Sequence, residues 1–322
     1  MNLAKQLLNI LAQNSDFISG QQLANTLNVS RTAIWKTINS LNESGYTIEK
    51  KHKSGYRLID KNKLSSVLIQ KYLPKHLKLD FEIHQQLDST NTQAKKIATL
   101  RHSNTPLIIL SEVQTAGYGR YGRTFVSPKQ TGIYLSILLN NTKANFNPGL
   151  LTTAAGLAMY RTILKKLDLK AQIKWVNDIL VADKKVCGIL TEGISDLENR
   201  TIKQIILGCG INYLTPVEDF LDELKPTVGT LREVVLAKKV SRNEFIAAFL
   251  SEFFDLYTDY TNASFMNEYR QNCYLLNKQV TISQGFKTFE ARVVNVNNLG
   301  ELVLDSGLIL NSGEVTKVRT FE

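Results

Sequence analysis

Cysteine is scarce. The chain has three, Cys187, Cys209 and Cys273, an odd number, widely spaced and with no Cys-x-x-Cys among them. That pattern argues against a disulfide framework and against a cysteine zinc site. Cys187 and Cys209 fall in apolar, strand-like runs and read as small buried residues. No stretch approaches the roughly 18 apolar residues of a membrane span. The opening Met1-Asn2-Leu3-Ala4-Lys5-Gln6-Leu7-Leu8 has helical period but neither an apolar signal core nor a small-residue cleavage site. No membrane partner and a cytoplasmic location are therefore expected. Gly-Lys-[Ser/Thr] does not occur, which excludes a P-loop. Acidic residues are outnumbered, 29 against 39 Lys and Arg, and the net charge of +10 predicts affinity for nucleic acid or acidic ligands. What remains is ordinary for a globular chain of two or three domains: 322 residues, 43% apolar and 21% charged.

The most distinctive stretch is Gly117-Tyr118-Gly119-Arg120-Tyr121-Gly122-Arg123. Glycine lets a backbone come close to a ligand. Arginine offers an always-charged fork that matches carboxylate and phosphate. A mobile loop of this composition, between two apolar runs, suits gripping an anion. Gly117, Gly119 and Gly122 also satisfy the Gly-x-Gly-x-x-Gly pattern of dinucleotide-binding folds, which needs a strand before it and a helix opening inside it. The strand is expected at Pro106 to Glu112. The helix is not: Arg123-Thr124-Phe125-Val126-Ser127-Pro128 breaks helices, and Ile133 to Leu139 reads as a buried strand. The dinucleotide reading falls, leaving an anion-gripping loop or a ligand-free glycine-rich hairpin.

Residues 1–63 read as three helices and a hairpin. Leu3, Leu7, Leu8, Ile10 and Leu11 form one apolar helical face. Ser19 caps a second helix, with Gln22 as its capping-box partner and Leu23, Ala24 and Leu27 buried. Ser30 caps a third, from Arg31 to about Glu43, buried through Ile34, Ile38 and Leu41. Two short helices joined by a tight turn make a helix-turn-helix. Its exposed residues Arg31, Thr32, Trp35, Lys36 and Asn39 are able to touch bases or phosphates. After Gly45 comes a hairpin tipped by Lys50-Lys51-His52-Lys53, the wing of a winged helix. Ser30, Lys51 and Lys53 join the helix residues as the expected DNA contacts. Lys61-Asn62-Lys63 is a polar linker.

Residues 64–270 are expected to form an α+β domain, a mixed sheet with helices on one side. Ser89 and Thr90, ahead of a helix expected from Thr92 to Leu100, are placed to cap it or to hydrogen-bond a polar ligand head. Leu150 to Leu167 is a buried helix. Lys174 sits in an apolar strand followed by Trp175 and an Asn177-Asp178 turn. Ile179-Leu180-Val181 and Val186 to Leu190 make a hairpin, and Ile205-Ile206-Leu207 is a further strand. Ser241 and Glu244 form a capping box for the last long helix. In residues 271–322, Gln279 to Ile282, Phe289 to Val293 and Leu302 to Leu304 alternate. Turns at Gln284-Gly285, Asn297 to Gly300 and Asp305 to Gly307 separate them, which suggests a small barrel.

Five motifs occur in order: Asp88-Ser89-Thr90-Asn91, Gln114-Thr115-Ala116-Gly117-Tyr118-Gly119-Arg120, Lys174-Trp175-Val176-Asn177-Asp178, Lys185-Val186-Cys187-Gly188-Ile189-Leu190 and Gly208-Cys209-Gly210-Ile211-Asn212. Together they resemble the biotin–protein ligases. With a winged helix in front, the whole chain resembles the bifunctional ligases that also repress biotin-synthesis genes. The resemblance implies a central domain like that of class II synthetases and biotin ligases, and an SH3-like β-barrel at the end. It implies that biotin's carboxylate attacks the α-phosphate of ATP, that biotinyl-5′-AMP stays bound, and that a lysine of biotin carboxyl carrier protein then attacks it.

By match, Ser89, Thr90 and Gln114 would hold biotin's ureido ring, with Asn91 beside them. Gly117, Tyr118, Gly119 and Arg120 would lie against the tail and the phosphate. Lys185 would contact the reacting carboxyl and Gly188 would line the tail's slot. Arg120, Arg123, Phe125, Asn177 and Asn212 would meet the nucleotide, Phe125 by stacking on adenine. Arg120, Lys185 and Asp178 would be catalytic, Asp178 by holding Mg2+ or by helping the incoming lysine lose its proton. A homodimer promoted by bound adenylate would bind operator DNA. Three positions depart from the family's usual pattern: Tyr118 stands where an arginine is usual, Tyr121 where a basic residue is common, and Val176 where proline is usual.

Overall fold

Side-chain caps mark where the first helices begin. In a computed structural model, which describes residues 2–59, 62–142, 146–196, 201–284, 287–312 and 314–319, Asn2 Oδ1 accepts from Ala4 N at the start of α1 (Leu3–Gln13). The expected capping box opens α2 (Gly20–Leu27): Ser19 Oγ accepts from Gln22 N, and Ser19 N donates to Gln22 Oε1, each at 3.1 Å. A cap of this kind contributes about 1 kcal/mol. Asn28 takes a left-handed φ of 53° and turns the chain. Ser30 Oγ then accepts from Ala33 N to begin α3 (Arg31–Glu43). β1 (Thr47–Lys51) and β2 (Gly55–Ile59) pair antiparallel as the wing. Leu7, Leu11, Leu23, Ile34 and Ile38 form the core here, and α4 (Ser66–Tyr72) adds Val67 and Leu68 to it.

The chain divides into two compact units, Met1–Lys75 with Val240–Ala248, and His76–Lys239 with Phe249–Glu322. The border expected at residue 63 therefore falls inside the first unit, because α4 shares the N-terminal core. Residues on both sides of 270 lie in the second unit. Two residues of the expected linker are pinned within the first unit. Buried Arg242 donates to Asn62 Oδ1 at 2.8 Å, and Asn243 accepts from Ser65 N at 2.9 Å and donates to Lys63 O at 2.8 Å. Lys61 lies outside the described residues.

Onward the chain runs β3 (Asp80–His84), α5 (Thr90–Ala98), β4 (Leu107–Ser111), β5 (Ile133–Asn140), α6 (Pro148–Leu167), β6 (Gln172–Lys174), β7 (Asp178–Val181), β8 (Lys184–Asp196) and β9 (Thr201–Ile211). Then come α7 (Arg232–Lys238), α8 (Arg242–Asp259), α9 (Met266–Gln271) and five short strands, β10 (Gln279–Gln284), β11 (Lys287–Val296), β12 (Leu302–Leu304), β13 (Ile309–Leu310) and β14 (Glu314–Arg319). The central sheet has the order β3-β4-β5-β9-β8-β7-β6. It is mixed, with β3 parallel to β4 and the other neighbours antiparallel.

Strand register assigns the two faces. Leu138, Ile206 and Glu192 are successive partners on one face; Ile137, Leu207 and Thr191 are partners on the other. α5 packs on the first face through Ala94 and Ala98, against Leu138 and Ile206. α6 meets the second, where Thr152 Oγ1 lies 2.7 Å from Thr191 Oγ1. The helices thus cover opposite faces, not the single side expected. Helical periodicity tells that a helix has a buried face but not which side of a sheet it meets.

The last five strands form an antiparallel sheet in the order β13-β12-β11-β10-β14. β13 and β14 stand at its edges, so the described strands make a sheet where a closed small barrel was expected. Gly285, in one of the expected turns, lies outside the described residues. Trp175 Nε1 donates to Gly300 O at 2.9 Å and fastens this sheet to the β6–β7 turn.

Candidate functional site

The face that carries α5 also carries a cavity of about 650 Å³, within the range of small-molecule sites. Its floor is a patch where the sheet gives up side chains. Gly188 pairs with Gly210, and Ser136 pairs with Gly208. A Cβ on Gly208 would fall 2.2 Å from Asn91 Oδ1, and one on Gly210 would fall 2.5 Å from the Phe125 ring. The glycines are spacers for what stands on them.

Lys185 reaches this face through a β-bulge. Asp178 pairs with Gly188 and Ile179 with Cys187, but Leu180 pairs with Lys185, a register shift of one residue. The extra residue, Val186, returns Lys185 to the face of Asp178 and Leu180. Lys185 Nζ ends 2.7 Å from Asp178 Oδ1. That oxygen is buried and makes no hydrogen bond of acceptable angle, so the two charges are close but poorly aligned.

The glycine-rich stretch was expected as a mobile loop; its own backbone closes it. Tyr118 bridges Thr124, Gly119 N donates to Arg123 O at 2.8 Å, and Phe125 N donates to Gly117 O at 2.8 Å. At the tip, Tyr121 has a left-handed φ of 58°. Arg120 Nη1 donates to Asn177 Oδ1 at 3.3 Å, and its guanidinium lies 5.2 Å from the Tyr121 ring centre. Among the described residues no carboxylate pairs with Arg120. Phe125 stands edge-on to Tyr134, 6.4 Å between ring centres.

At the other end, α5 begins at Thr90, two residues before the expected start. Ser89 occupies the N-cap position without making a capping bond. Gln114 Oε1 accepts from Thr90 N at 2.8 Å, and Gln114 Nε2 donates to Ser127 Oγ at 2.9 Å. Ser136 Oγ lies 2.8 Å from Thr90 Oγ1 and 2.5 Å from Asn91 Oδ1. The result is a nest of buried hydroxyls and amides opposite the cationic end.

The first unit presents a separate surface. Ile34, Ile38 and Leu41 turn α3 inward, leaving Arg31, Thr32, Trp35 and Lys36 exposed and Asn39 half-buried. Ser30 is exposed, with its hydroxyl committed to the cap. Lys51 and Lys53 are exposed on the wing, Lys53 at its tip with a φ of 63°.

Residues 83–212 match the biotin/lipoate A/B protein ligase family, and residues 4–57 match an HTH domain family. The bifunctional ligase/repressor BirA of Bacillus subtilis is 35% identical over 268 residues, 82% of this chain and 81% of its own length. The chain belongs to the biotin/lipoate A/B protein ligase family. The bifunctional ligase/repressor BirA of Escherichia coli is 27% identical over 97% of this chain and 96% of its own. A biotin protein ligase from Aquifex aeolicus, solved in complex with biotin and ATP, covers 74% of this chain and 98% of its own, with a TM-score of 0.57 and 22% identity; this likeness is one of fold.

Of the ligase residues singled out in the sequence, Ser89, Thr90, Asn91, Gln114, Tyr118, Gly119, Arg120, Arg123, Phe125, Asn177, Asp178, Lys185, Gly188 and Asn212 all line the one cavity. Gly117 does not line it. A Cβ there would come 2.7 Å from Phe125 O and 2.8 Å from Gln114 Nε2, so its smallness lets the loop stem pack. Asn212 Nδ2 donates to Gly229 O at 2.9 Å, tethering a segment whose Thr227 and Val228 are also in the wall. Sequence reasoning missed that segment, missed Val315 and Val318 of β14, which complete the wall, and missed Lys95 and Glu192. A glutamate inside the apolar run around Ile189 to Ile194 was the available signal for the last.

Proposed function

We infer that this chain is an ATP-dependent ligase that joins biotin to a lysine of the biotin carboxyl carrier protein of acetyl-CoA carboxylase, and a biotin-responsive repressor of biotin-synthesis genes. One observation carries the reading. Arg120, which pairs with no carboxylate among the described residues, and the Lys185–Asp178 pair face one glycine-floored cavity, in a chain four-fifths of which aligns with a ligase/repressor.

Biotin's carboxylate attacks the α-phosphorus of ATP, diphosphate leaves, and biotinyl-5′-AMP stays bound. Two anions must meet, so cations at the junction stabilise the transition state. Arg120 and Lys185 take that part, with Arg123 on the phosphate side. Ser89, Thr90, Asn91 and Gln114 hold the ureido head, and Gly188 leaves room for the tail. Phe125 stacks on adenine, with Asn177 and Asn212 beside the nucleotide. In the second step the carrier lysine attacks the mixed anhydride and AMP leaves. That amine is mostly ammonium at neutral pH, with an ordinary pKa of about 10.4, and Asp178 would help it lose its proton.

Among the described residues no cluster of three or more His, Cys, Asp or Glu could hold a metal. This donor set suits Mg2+ held mainly by substrate phosphates, with Asp178 as its protein ligand; the ion would offset phosphate charge. Val315 and Val318 on the cavity wall support the C-terminal sheet as a cap on the site. A homodimer promoted by bound adenylate would set two winged helices on the two half-sites of an operator. No described helix is long and apolar enough to cross a membrane, and the reaction is proposed to run in the cytoplasm.

ATP–pyrophosphate exchange with biotin or lipoate supplied separately tests the enzyme. Exchange with biotin is expected. Exchange with neither acid would refute the ligase reading, and exchange with lipoate alone would refute the assignment of biotin.

A further inference from the structure

Tyr118, expected against the biotin tail, also has a hydroxyl to which the chemistry above gives no part. Its hydroxyl donates to Glu192 Oε2 at 3.0 Å and accepts from Lys95 Nζ at 3.1 Å. Lys95 Nζ also donates to Glu192 Oε1 at 2.8 Å and lies 5.5 Å from the centre of the Tyr118 ring. Glu192 Oε2 takes a further bond from Asn91 Nδ2 at 2.8 Å. Asn91 and Lys95 stand one turn apart on α5 and so face the same way. Three separate elements meet here: the loop, α5 and β8. Through Asn91 and Ser136 the cluster continues into the cavity floor.

The cluster's charges are settled. Burial opposes the Glu192 carboxylate, but the bonds from Lys95, Asn91 and Tyr118 outweigh it and hold its pKa below the usual range. Burial pushes the Tyr118 phenol up, so it keeps the proton it donates.

We propose that Tyr118, Lys95 and Glu192 are a clasp that holds the glycine-rich loop over the cavity and so retains the acyl-adenylate between the two half-reactions. The proposal rests on the ligase reading. A loop so held keeps water from the mixed anhydride. None of the three side chains supplies charge at the reacting atoms. They act by positioning the loop that carries Arg120.

The test uses the full chain with Lys95→Met, Lys95→Arg, Tyr118→Phe, Glu192→Gln and the double variant of the last two. Preformed biotinyl-AMP is followed as it leaves or hydrolyses, and ATP–pyrophosphate exchange is measured at saturating substrates. Lys95→Met is expected to keep exchange at the wild-type rate while the adenylate is lost about ten- to hundredfold faster, the size of two broken hydrogen bonds. Lys95→Arg, which keeps the donors, should restore retention. Tyr118→Phe and Glu192→Gln should each speed the loss, and the double variant should be no worse than Glu192→Gln alone. If Glu192→Gln fails to fold, the Lys95 and Tyr118 variants decide. Wild-type retention in both Lys95→Met and Tyr118→Phe would overturn the clasp while leaving the ligase intact. Absence of exchange in the wild type would instead remove the ligase reading.

Discussion

Asp178 Oδ1 and Lys185 Nζ stand 2.7 Å apart on neighbouring strands, brought to one face by the register shift between Ile179 and Leu180. Each charge offsets the other. In the proposed reaction, biotin's carboxylate would compete for Lys185, and the same exchange would release Asp178. The bulge is thus part of the site: with regular pairing, Lys185 would point to the face that α6 covers.

Lys185→Met should therefore slow adenylate formation by about a hundredfold to a thousandfold, the usual loss when one preorganised donor is taken from a charged transition state. Lys185→Arg should recover part of it. Exchange at the wild-type rate in Lys185→Met would remove this residue from the chemistry.

Gly210→Ala tests the floor. The added methyl would lie 2.5 Å from the Phe125 ring, so the ring must leave its place. Overpacking of this size supports an expected rise of about tenfold in KM for ATP, with KM for biotin little changed. An unchanged KM for ATP would mean that Phe125 does not meet the nucleotide.

These residues also show what a sequence makes legible. Caps at Ser19 and Ser30 were readable because they are written within four residues. The five motifs were readable as a set, and nineteen of their residues line one cavity. Faces were not readable. α5 and α6 fall on opposite sides because of strand register, which depends on pairing between distant segments. The bulge at Lys185 and the glycine spacing under Phe125 share that cause. Lys95 and Glu192 looked unremarkable in their own stretches, and Tyr118 stood out only as a departure from the usual arginine; only the fold brings three polar groups from three elements to one point. Arg242 was likewise silent until the fold placed it against Asn62.

The clasp should be insensitive to pH through the neutral range. Glu192's folded pKa is lowered, so its contribution is full above the ordinary glutamate value of about 4.3 and is lost as pH falls through the lower folded value. For Lys95, burial opposes the charge, but Glu192 and Tyr118 outweigh it and raise the pKa. Its contribution is full below about 10.4 and is lost as pH rises through the higher folded value. Adenylate loss measured between about pH 5.5 and 9 should show no inflection from these groups. An inflection near neutrality that vanished in Glu192→Gln would contradict this assignment of charge.

On the first unit, the wing and the helix should separate by the kind of contact they make. Lys51 and Lys53 are exposed on the hairpin, where an ammonium meets phosphate without regard to sequence. Replacing both with alanine should weaken binding to operator and scrambled duplex alike. It should also flatten the plot of log affinity against log salt by about 2, near 0.9 per phosphate contact. Arg31, exposed at the start of α3, stands where a recognition helix reads base edges. Arg31→Ala should lower operator affinity by about 1–3 kcal/mol and leave scrambled DNA nearly unaffected. Fluorescence anisotropy across a salt series measures both quantities on the same samples. An unchanged salt slope in the double lysine variant would remove the wing from the interface, and equal losses on both duplexes for Arg31→Ala would make that residue a phosphate contact. The two outcomes are independent, because one is read from the slope and the other from the ratio of affinities at a single salt concentration.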